Sequence, residues 1–150
     1  MRVVLQRVTS CVLHTDGSEY SRIGYGLLLL VGIEDADTAD DTEWLCAKVT
    51  GLRVFDDDQG VMNLDITDIG GEIMVVSQFT LLASTRKGNR PSYTKAARPD
   101  VSRPLYESFI STISEKLGRP VATGVFGAHM EIDIINDGPV TIILDSKNKE

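Results

Sequence analysis

The 150-residue chain is long enough to bury one hydrophobic core without disulfides, and we treat residues 1–150 as a single domain. Its composition, 42% hydrophobic and 25% charged, is typical of a soluble globular protein. The formal net charge of −7 argues against a protein that coats nucleic acid by charge alone. No apolar run approaches the roughly 20 residues that a membrane-spanning helix needs, and the N-terminus lacks a signal-peptide pattern. We therefore expect a cytoplasmic protein with no membrane partner.

The first third of the chain predicts short strands followed by a helix. Val3–Val8 and Cys11–His14 are rich in β-branched residues, Asp16-Gly17 indicates a turn, and residues 27–33 form a strongly apolar strand segment. From Thr38 to Thr50 the apolar residues recur at helical spacing. Thr38 is a suitable N-cap for this helix, because an acidic residue follows it three positions later.

Residues 72–82 predict a long buried strand that polar side chains interrupt. If this strand stays regular, Ser77 and Phe79 point to one face, and Gln78 and Thr80 share the other.

After a polar loop, a second helix is expected over residues 102–117, with Pro104 tolerated in its first turn. The segment Asn136-Asp137-Gly138-Pro139-Val140-Thr141 then lies between two alternating apolar stretches, which predicts a turn between strands with the Gly-Pro bond at its tip. Such a bond presents two bare backbone carbonyls to a ligand. These elements together predict a strand-dominated α+β domain with two main helices.

No standard catalytic motif is present. Three groups of residues could nevertheless have a function: the segment around Thr80, the pair Phe126 and Met130, and the cysteines and histidines. Thr80 could be a nucleophile, although no neighbouring base is apparent, and backbone N–H groups near Phe79 and Thr80 could instead stabilise an oxyanion. Phe126 and Met130 flank small residues, so they could fill the core or form a slot for a nucleobase. Cys11 and Cys46 have no metal-ligand spacing, and two histidines are too few for a convincing metal site.

Positive charge is concentrated in one segment of this acidic chain. Between residues 84 and 103 there are six Lys or Arg residues and a single acid, Asp100. This segment is either a solvated surface or a patch that binds phosphate.

The strings MRVVLQRV, IGYGLLLLVGI, LRVF, SQFTL, KGNRPSY, GVFGAHM and NDGPVT occur in this order along most of the chain. In this the chain resembles the D-aminoacyl-tRNA deacylase family, also called the D-tyrosyl-tRNA(Tyr) deacylase family. The resemblance implies barrel-like β-sheets and a homodimer without cofactor or metal. It also implies hydrolysis of the ester between a D-amino acid and the 3′-terminal adenosine of tRNA, and of glycyl-tRNA mischarged on tRNA(Ala).

The resemblance also implies roles for individual residues. Ser77, Gln78, Phe79 and Thr80 would line the reaction centre. Gly138-Pro139 would be a cis dipeptide that reaches into the partner's site and rejects L-aminoacyl-tRNA, supported by Arg7 and Asn136. Phe126 and Met130 would hold the terminal adenine, and Arg86, Lys87 and Arg90 would contact tRNA phosphates.

Two alternatives remain at this point. The chain could be a non-catalytic module that binds tRNA or DNA with the same fold. It could also be a hydrolase of another class that uses Cys11 or Cys46 with a histidine.

Overall fold

A long first strand organises a sheet that nearly closes into a barrel. The computed structural model describes all 150 residues. Its elements are β1 (Arg2–Thr15), β2 (Ser18–Ile23), β3 (Gly26–Gly32), α1 (Ala39–Gly51), β4 (Phe55–Asp56), β5 (Met62–Leu64), β6 (Glu72–Ser77), a 3-10 turn (Phe79–Leu82), α2 (Pro99–Leu117), β7 (Ala122–Thr123) and β8 (Glu131–Asp145). The predicted α+β class with two main helices is confirmed. The two short strands expected in the first 14 residues are a single strand, β1.

β1 pairs with three other strands. Its first half pairs with β3, its second half pairs with β2, and β8 runs antiparallel along its other edge. β3, β6 and β7 continue the sheet in parallel, in the order β2-β1-β3-β6-β7. The Ser21 hydroxyl of β2 donates to the Thr123 carbonyl of β7 at 2.7 Å, so the two ends of this order meet. A small separate hairpin is formed by β4 and β5.

The apolar run of β3 is buried on both faces. Leu27 and Leu29 belong to the larger core cluster, which lies between the sheet and the two helices. Leu28 belongs to a second cluster inside the barrel, where it packs with Val8 and Met74. A strand covered on both sides has no need for alternating polar residues, which explains why this segment is the longest apolar run in the chain.

Helix α1 begins where the sequence predicts. The Asp41 carboxylate accepts hydrogen bonds from the backbone N–H and the hydroxyl of Thr38, at 2.8 and 3.2 Å, and from Lys147 at 2.8 Å. Burial by itself raises the pKa of Asp41, but the hydrogen bonds outweigh it and hold this pKa well below its ordinary value of 3.8. The ionised carboxylate thus ties the start of α1 to the segment after β8. Neither α1 nor α2 is both long enough and apolar enough to cross a membrane.

Helix α2 begins three residues earlier than expected, and this changes the position of Pro104. The helix starts at Pro99, a proline at its first position, and ends at Gly118 in the left-handed conformation with φ 78°. Pro104 is therefore in the second turn and not in the first. Only the Asp100 carbonyl loses its helical donor there, and both residues are exposed, so water can replace the missing N–H.

The expected strand over residues 72–82 ends at Ser77. Its parallel partner β3 stops at Gly32, and the Gln78 N–H makes the last bond of this edge, to the Val31 carbonyl at 2.7 Å. The chain then turns into the 3-10 segment, so the prediction that Ser77 and Phe79 share a strand face was wrong. The turn packs directly on β3: a Cβ at Gly32 would lie 3.0 Å from the Gln78 carbonyl oxygen.

The segment around Gly138-Pro139 is a bulge within one strand, and the expected hairpin turn was wrong. Both halves of β8 pair with β1, with Gln6 opposite Thr141 and Val8 opposite Asn136. Residues 137–140 therefore lie opposite Arg7 alone. Strand pairing cannot accommodate this excess, so the backbone leaves the sheet. The Gly138-Pro139 peptide bond in this bulge is cis.

Arg7 anchors the bulge from the opposite strand. Its guanidinium Nε lies 2.9 Å from the Asp137 carboxylate and 3.3 Å from the Asp137 carbonyl oxygen. Its Nη1 donates to the Val54 carbonyl at 2.7 Å. Only 6% of the Arg7 side chain is exposed, so these partners replace most of the water that the cation loses on burial.

Replacing Arg7 by Met should lower the free energy of unfolding by about 3 kcal/mol, because it leaves the buried Val54 carbonyl and the Asp137 carboxylate without their donor. Urea unfolding measures this loss. A suitable control is Arg22→Met, since the Arg22 side chain is 68% exposed and pairs only with Glu19. This control should lose less than about 1 kcal/mol. Equal losses of unfolding free energy in the two variants would show that the burial of Arg7 does not determine its contribution to stability.

Candidate active site

A cavity of about 590 Å³ opens where β3 and β6 end, against the first turn of α2. Its walls come from three parts of the chain: the strand ends, the segment that leads into α2, and the segment between β7 and β8. The lining residues are Val31, Ile33, Val76, Ser77, Gln78, Phe79, Tyr93, Ala96, Ala97, Pro99, Ser102, Phe126, Gly127, Ala128, His129, Met130 and Ile132.

Two groups of predicted site residues meet in this cavity. Ser77, Gln78 and Phe79 lie on one wall, and Phe126 and Met130 lie on another. The two groups are almost 50 positions apart in sequence, and the parallel pairing of β6 with β7 brings them together. In open α/β sheets, ligands bind at the carboxyl ends of the parallel strands, and this cavity lies at the same end of β3 and β6.

The 3-10 turn leaves two backbone donors free next to the cavity. Within the turn, Leu81 N–H donates to the Gln78 carbonyl and Ala83 N–H donates to the Thr80 carbonyl. The N–H groups of Phe79 and Thr80 donate to no protein group, as is usual for the first residues of a helical turn. Free N–H groups of this kind can stabilise negative charge on an oxygen atom.

Thr80 does not line the cavity. Its hydroxyl oxygen accepts a hydrogen bond from the Gln78 side-chain amide at 2.5 Å. No histidine, lysine or carboxylate hydrogen-bonds to it, so no side chain is placed to remove its proton. The geometry therefore favours the backbone donors over the threonine nucleophile.

Aromatic rings frame the opposite wall. The Phe126 ring lies 5.7 Å from the Tyr106 ring, centroid to centroid, and Tyr106 donates its hydroxyl to the Val75 carbonyl of β6 at 2.9 Å. Met130 passes close to Gly124, where a Cβ would lie 2.6 Å from the Met130 sulfur. Only glycine leaves room for this arrangement. An apolar slot between Phe126 and Met130 suits a flat aromatic ligand.

The cavity mouth carries residues that the sequence did not single out. Tyr93 meets Phe79 edge to face, with ring centroids 5.1 Å apart, and 56% of Phe79 is exposed. Pro99, Ser102 and His129 complete the rim. Tyr93 could have been found, because it is an aromatic residue at the end of the basic string KGNRPSY. The others carry no local signal, since their position depends on where α2 begins.

The Gly138-Pro139 bulge does not line the cavity of its own chain. Arg7 contacts the bulge at Asp137. Asn136 stands at the start of the bulge, and its exposed side chain hydrogen-bonds to no other residue, so its supporting role stays a prediction.

The predicted phosphate contacts lie in an exposed loop beside the cavity. Backbone hydrogen bonds between Ser84 and Ser92, at 2.8 and 2.9 Å, close the loop at its base. Arg86, Lys87 and Arg90 project from it, and none of them forms an ion pair. Unpaired cations of this kind are available to an anionic partner.

The two thiols are poor candidates for catalysis. Cys11 and Cys46 are both fully buried, and neither lines the cavity. Burial raises the pKa of Cys11 to about 11 and that of Cys46 to about 12, so both stay protonated at neutral pH. The cysteine-hydrolase alternative therefore has no support in the geometry. No group of three or more His, Cys, Asp or Glu side chains is arranged to hold a metal ion.

Comparisons with known proteins identify the family of the chain. A family profile described as D-Tyr-tRNA(Tyr) deacylase matches residues 4–145. Relatives named D-aminoacyl-tRNA deacylase from Parabacteroides distasonis and Porphyromonas gingivalis are 60% and 59% identical over 150 residues, covering 100% of both chains.

Two solved structures share the fold. The c-Myc DNA unwinding element binding protein superposes with a TM-score of 0.92 and 37% identity, over 97% of this chain and 98% of that one. A probable eukaryotic D-amino acid tRNA deacylase superposes with a TM-score of 0.83 over 95% of this chain and 97% of that one, and at 18% identity it shows the fold alone. The match of the family profile to residues 4–145, together with 60% identity over the full length of a named relative, places the chain in the D-Tyr-tRNA(Tyr) deacylase family of ester hydrolases.

Proposed function

We propose that the protein hydrolyses the ester that joins a D-amino acid to the 3′-terminal adenosine of tRNA, releasing free tRNA and the amino acid. The observation that carries this proposal is the meeting of Ser77, Gln78 and Phe79 with Phe126 and Met130 in one cavity. The first group offers polar contacts and backbone donors, and the second offers an apolar slot. The aminoacyl-adenosine end of tRNA needs both, because its ester is polar and its adenine base is flat and aromatic.

Backbone N–H groups have the main role in the proposed reaction. Water attacks the ester carbonyl, and the negative charge that develops on the carbonyl oxygen is stabilised by the free N–H groups of Phe79 and Thr80. The 2′-hydroxyl of the ribose assists the attack, since the cavity wall has no carboxylate or lysine to act as the base. The one histidine of the wall, His129, is an exposed residue of the segment between β7 and β8. The bond from the acyl carbon to the ribose oxygen then breaks.

Selection against L-amino acids depends on where Cβ points. The backbone carbonyls of Gly138 and Pro139 are presented by an anchored bulge, so they can exclude one hand of the substrate by steric contact. Glycine has no Cβ and escapes this exclusion. Glycyl-tRNA mischarged on tRNA(Ala) is therefore a second expected substrate.

The bulge is available to a substrate only from another copy of the chain, because it does not line its own cavity. We therefore propose a homodimer. β8 has β1 as its sole strand neighbour, and Ile135 and Ile143 on it are 61% and 68% exposed. Exposed isoleucines along a sheet edge next to the bulge suit contact with a second copy.

The loop that carries Arg86, Lys87 and Arg90 would bind phosphates of the tRNA acceptor stem, which offsets the overall acidity of the chain. We place the reaction in the cytoplasm, since Cys11 and Cys46 are unpaired thiols and fit a reducing compartment.

A specific observation favours one alternative. The solved structure with 37% identity is named as a DNA unwinding element binding protein, so a related chain is described by nucleic-acid binding and not by hydrolysis. A non-catalytic module that binds tRNA or DNA would use the same cavity and loop.

The purified protein should hydrolyse D-tyrosyl-tRNA and glycyl-tRNA(Ala) at least about a hundredfold faster than L-tyrosyl-tRNA, because only the L ester directs Cβ at the carbonyls. Release of labelled amino acid from matched substrates measures the three rates. Retained tRNA binding with no hydrolysis of any ester would instead support the binding module.

Replacing Thr80 by Val should leave kcat/KM within about fivefold of wild type, because the backbone N–H groups remain in place. The same assay with D-tyrosyl-tRNA measures this change, and thermal unfolding checks that the variant is folded. Loss of about 10⁴-fold or more in a folded variant is the result expected for a removed nucleophile, and it would restore that role to Thr80.

Replacing Ile135 by Lys should convert the dimer to a monomer and abolish D-tyrosyl-tRNA hydrolysis, because each cavity loses the partner's bulge. Sedimentation velocity and the hydrolysis assay give the two readings. The matched control is Val61→Lys, which changes an apolar residue that is 59% exposed and belongs to the turn between β4 and β5. A wild-type chain that sediments as a monomer while remaining fully active contradicts the shared site.

Replacing Arg86, Lys87 and Arg90 by Ala should weaken tRNA binding and reduce the slope of log K against log salt by about two, since three phosphate contacts are lost. Filter binding at several salt concentrations measures the slope. Replacing Arg22, Lys48 and Lys149 by Ala removes the same charge elsewhere and should change the slope little. An unchanged slope in the loop variant excludes this loop from the tRNA interface.

A further inference from the structure

The Phe126 ring lies close to two residues of α2. Tyr106 lies against it at a centroid distance of 5.7 Å, and the guanidinium carbon of Arg103 lies 5.1 Å from the ring centroid. Arg103 and Tyr106 are three positions apart, so they project from the same side of the helix. Because Phe126 lines the cavity, this arrangement places a cation next to the cavity wall, although Arg103 itself does not line the cavity.

Arg103 has no charged partner in the chain. Asp100 and Glu107 lie about one turn away on the same helix, yet neither forms an ion pair with it, and its guanidinium donates to no protein oxygen. The side chain is exposed. A guanidinium that lies over an aromatic ring keeps its N–H groups free at its edge, and it is already ordered for a planar or tetrahedral anion.

The nearby apolar slot suggests which anion this is. In a nucleotide whose base contacts Phe126, the 5′-phosphate is the charged group closest to the base. Arginine is well suited to phosphate, because its N–H groups can donate in pairs to two phosphate oxygens. No other lysine or arginine lies over the Phe126 ring.

We propose that Arg103 binds the 5′-phosphate of the nucleotide whose base is held by Phe126. This inference rests on the proposed function, because that nucleotide is the 3′-terminal adenosine of the substrate. The basic loop and Arg103 then have different tasks: the loop binds the acceptor stem, and Arg103 positions the residue that carries the ester.

Two small esters test this assignment: 3′-O-(D-tyrosyl)adenosine and the same compound with a 5′-phosphate. The quantity measured is the ratio of kcat/KM for the phosphorylated ester to kcat/KM for the unphosphorylated one. A general disturbance of the cavity lowers both values together, so the ratio reports on the phosphate contact. Wild type should prefer the phosphorylated ester by roughly tenfold, mainly through a lower KM.

Arg103→Met should bring the ratio close to one, and Arg103→Lys should restore most of it, since an ammonium keeps the charge. Lys48→Met is the control: Lys48 is also an exposed helical cation, 5.8 Å from the Trp44 ring centroid, but it lies outside the cavity. Its ratio should equal that of wild type.

A ratio near one in wild type, or a ratio unchanged in Arg103→Met, overturns the inference while D-tyrosyl-tRNA hydrolysis still supports the proposed function. Wild-type protein that hydrolyses neither ester nor D-tyrosyl-tRNA overturns the proposed function, and the inference with it.

Discussion

The mismatch between β1 and β8 is the constraint on which the proposed mechanism depends. Four residues of β8 face one residue of β1, and that residue is Arg7. A small side chain at this position would leave the displaced backbone without a partner. The guanidinium instead fills the gap. It pairs with Asp137 in β8 and donates a hydrogen bond to the Val54 carbonyl, which precedes β4. A single buried cation thus holds the backbone of this irregular segment of β8 in one position.

The cavity arises from a second irregularity, at the other side of the sheet. β6 ends at Ser77, opposite Val31 of β3. The Gln78 N–H then makes one last hydrogen bond to the Val31 carbonyl, and the chain turns on the surface of Gly32. The turn frees the N–H groups of Phe79 and Thr80 and directs Phe79 outward. The parallel neighbour β7 then leads the chain to Phe126. The positions of these groups therefore follow from where the strands end.

Much of the fold could be predicted from the sequence, because its signals are local. Helical spacing and the Thr38 cap located α1 within a residue at each end, and the apolar run after Gly26 located a strand buried on both faces. The turn at Asp16-Gly17 was found through residues that tolerate positive φ. These features depend only on neighbours in sequence.

The irregular segments could not be predicted in the same way. A polar stretch with glycine and proline is equally suitable for a hairpin or a bulge, and only the pairing of both halves of β8 with β1 decides between them. The apolar character of residues 72–82 favours a buried strand, yet the end of β3 at Gly32 removes the partner that a longer strand would need. Arg103 belongs to no recognisable sequence motif. Its position beside the Phe126 ring is visible only in the structure.

The cavity wall contains no aspartate, glutamate, lysine or arginine; its one titratable side chain other than the Tyr93 phenol is His129. A wall without fixed charge has little basis for distinguishing an acidic amino acid from a basic or an aromatic one. Under the proposed function, selection would then depend on the configuration at Cα and much less on the side chain attached to it. Breadth of substrate and strictness of handedness would in that case have the same structural origin.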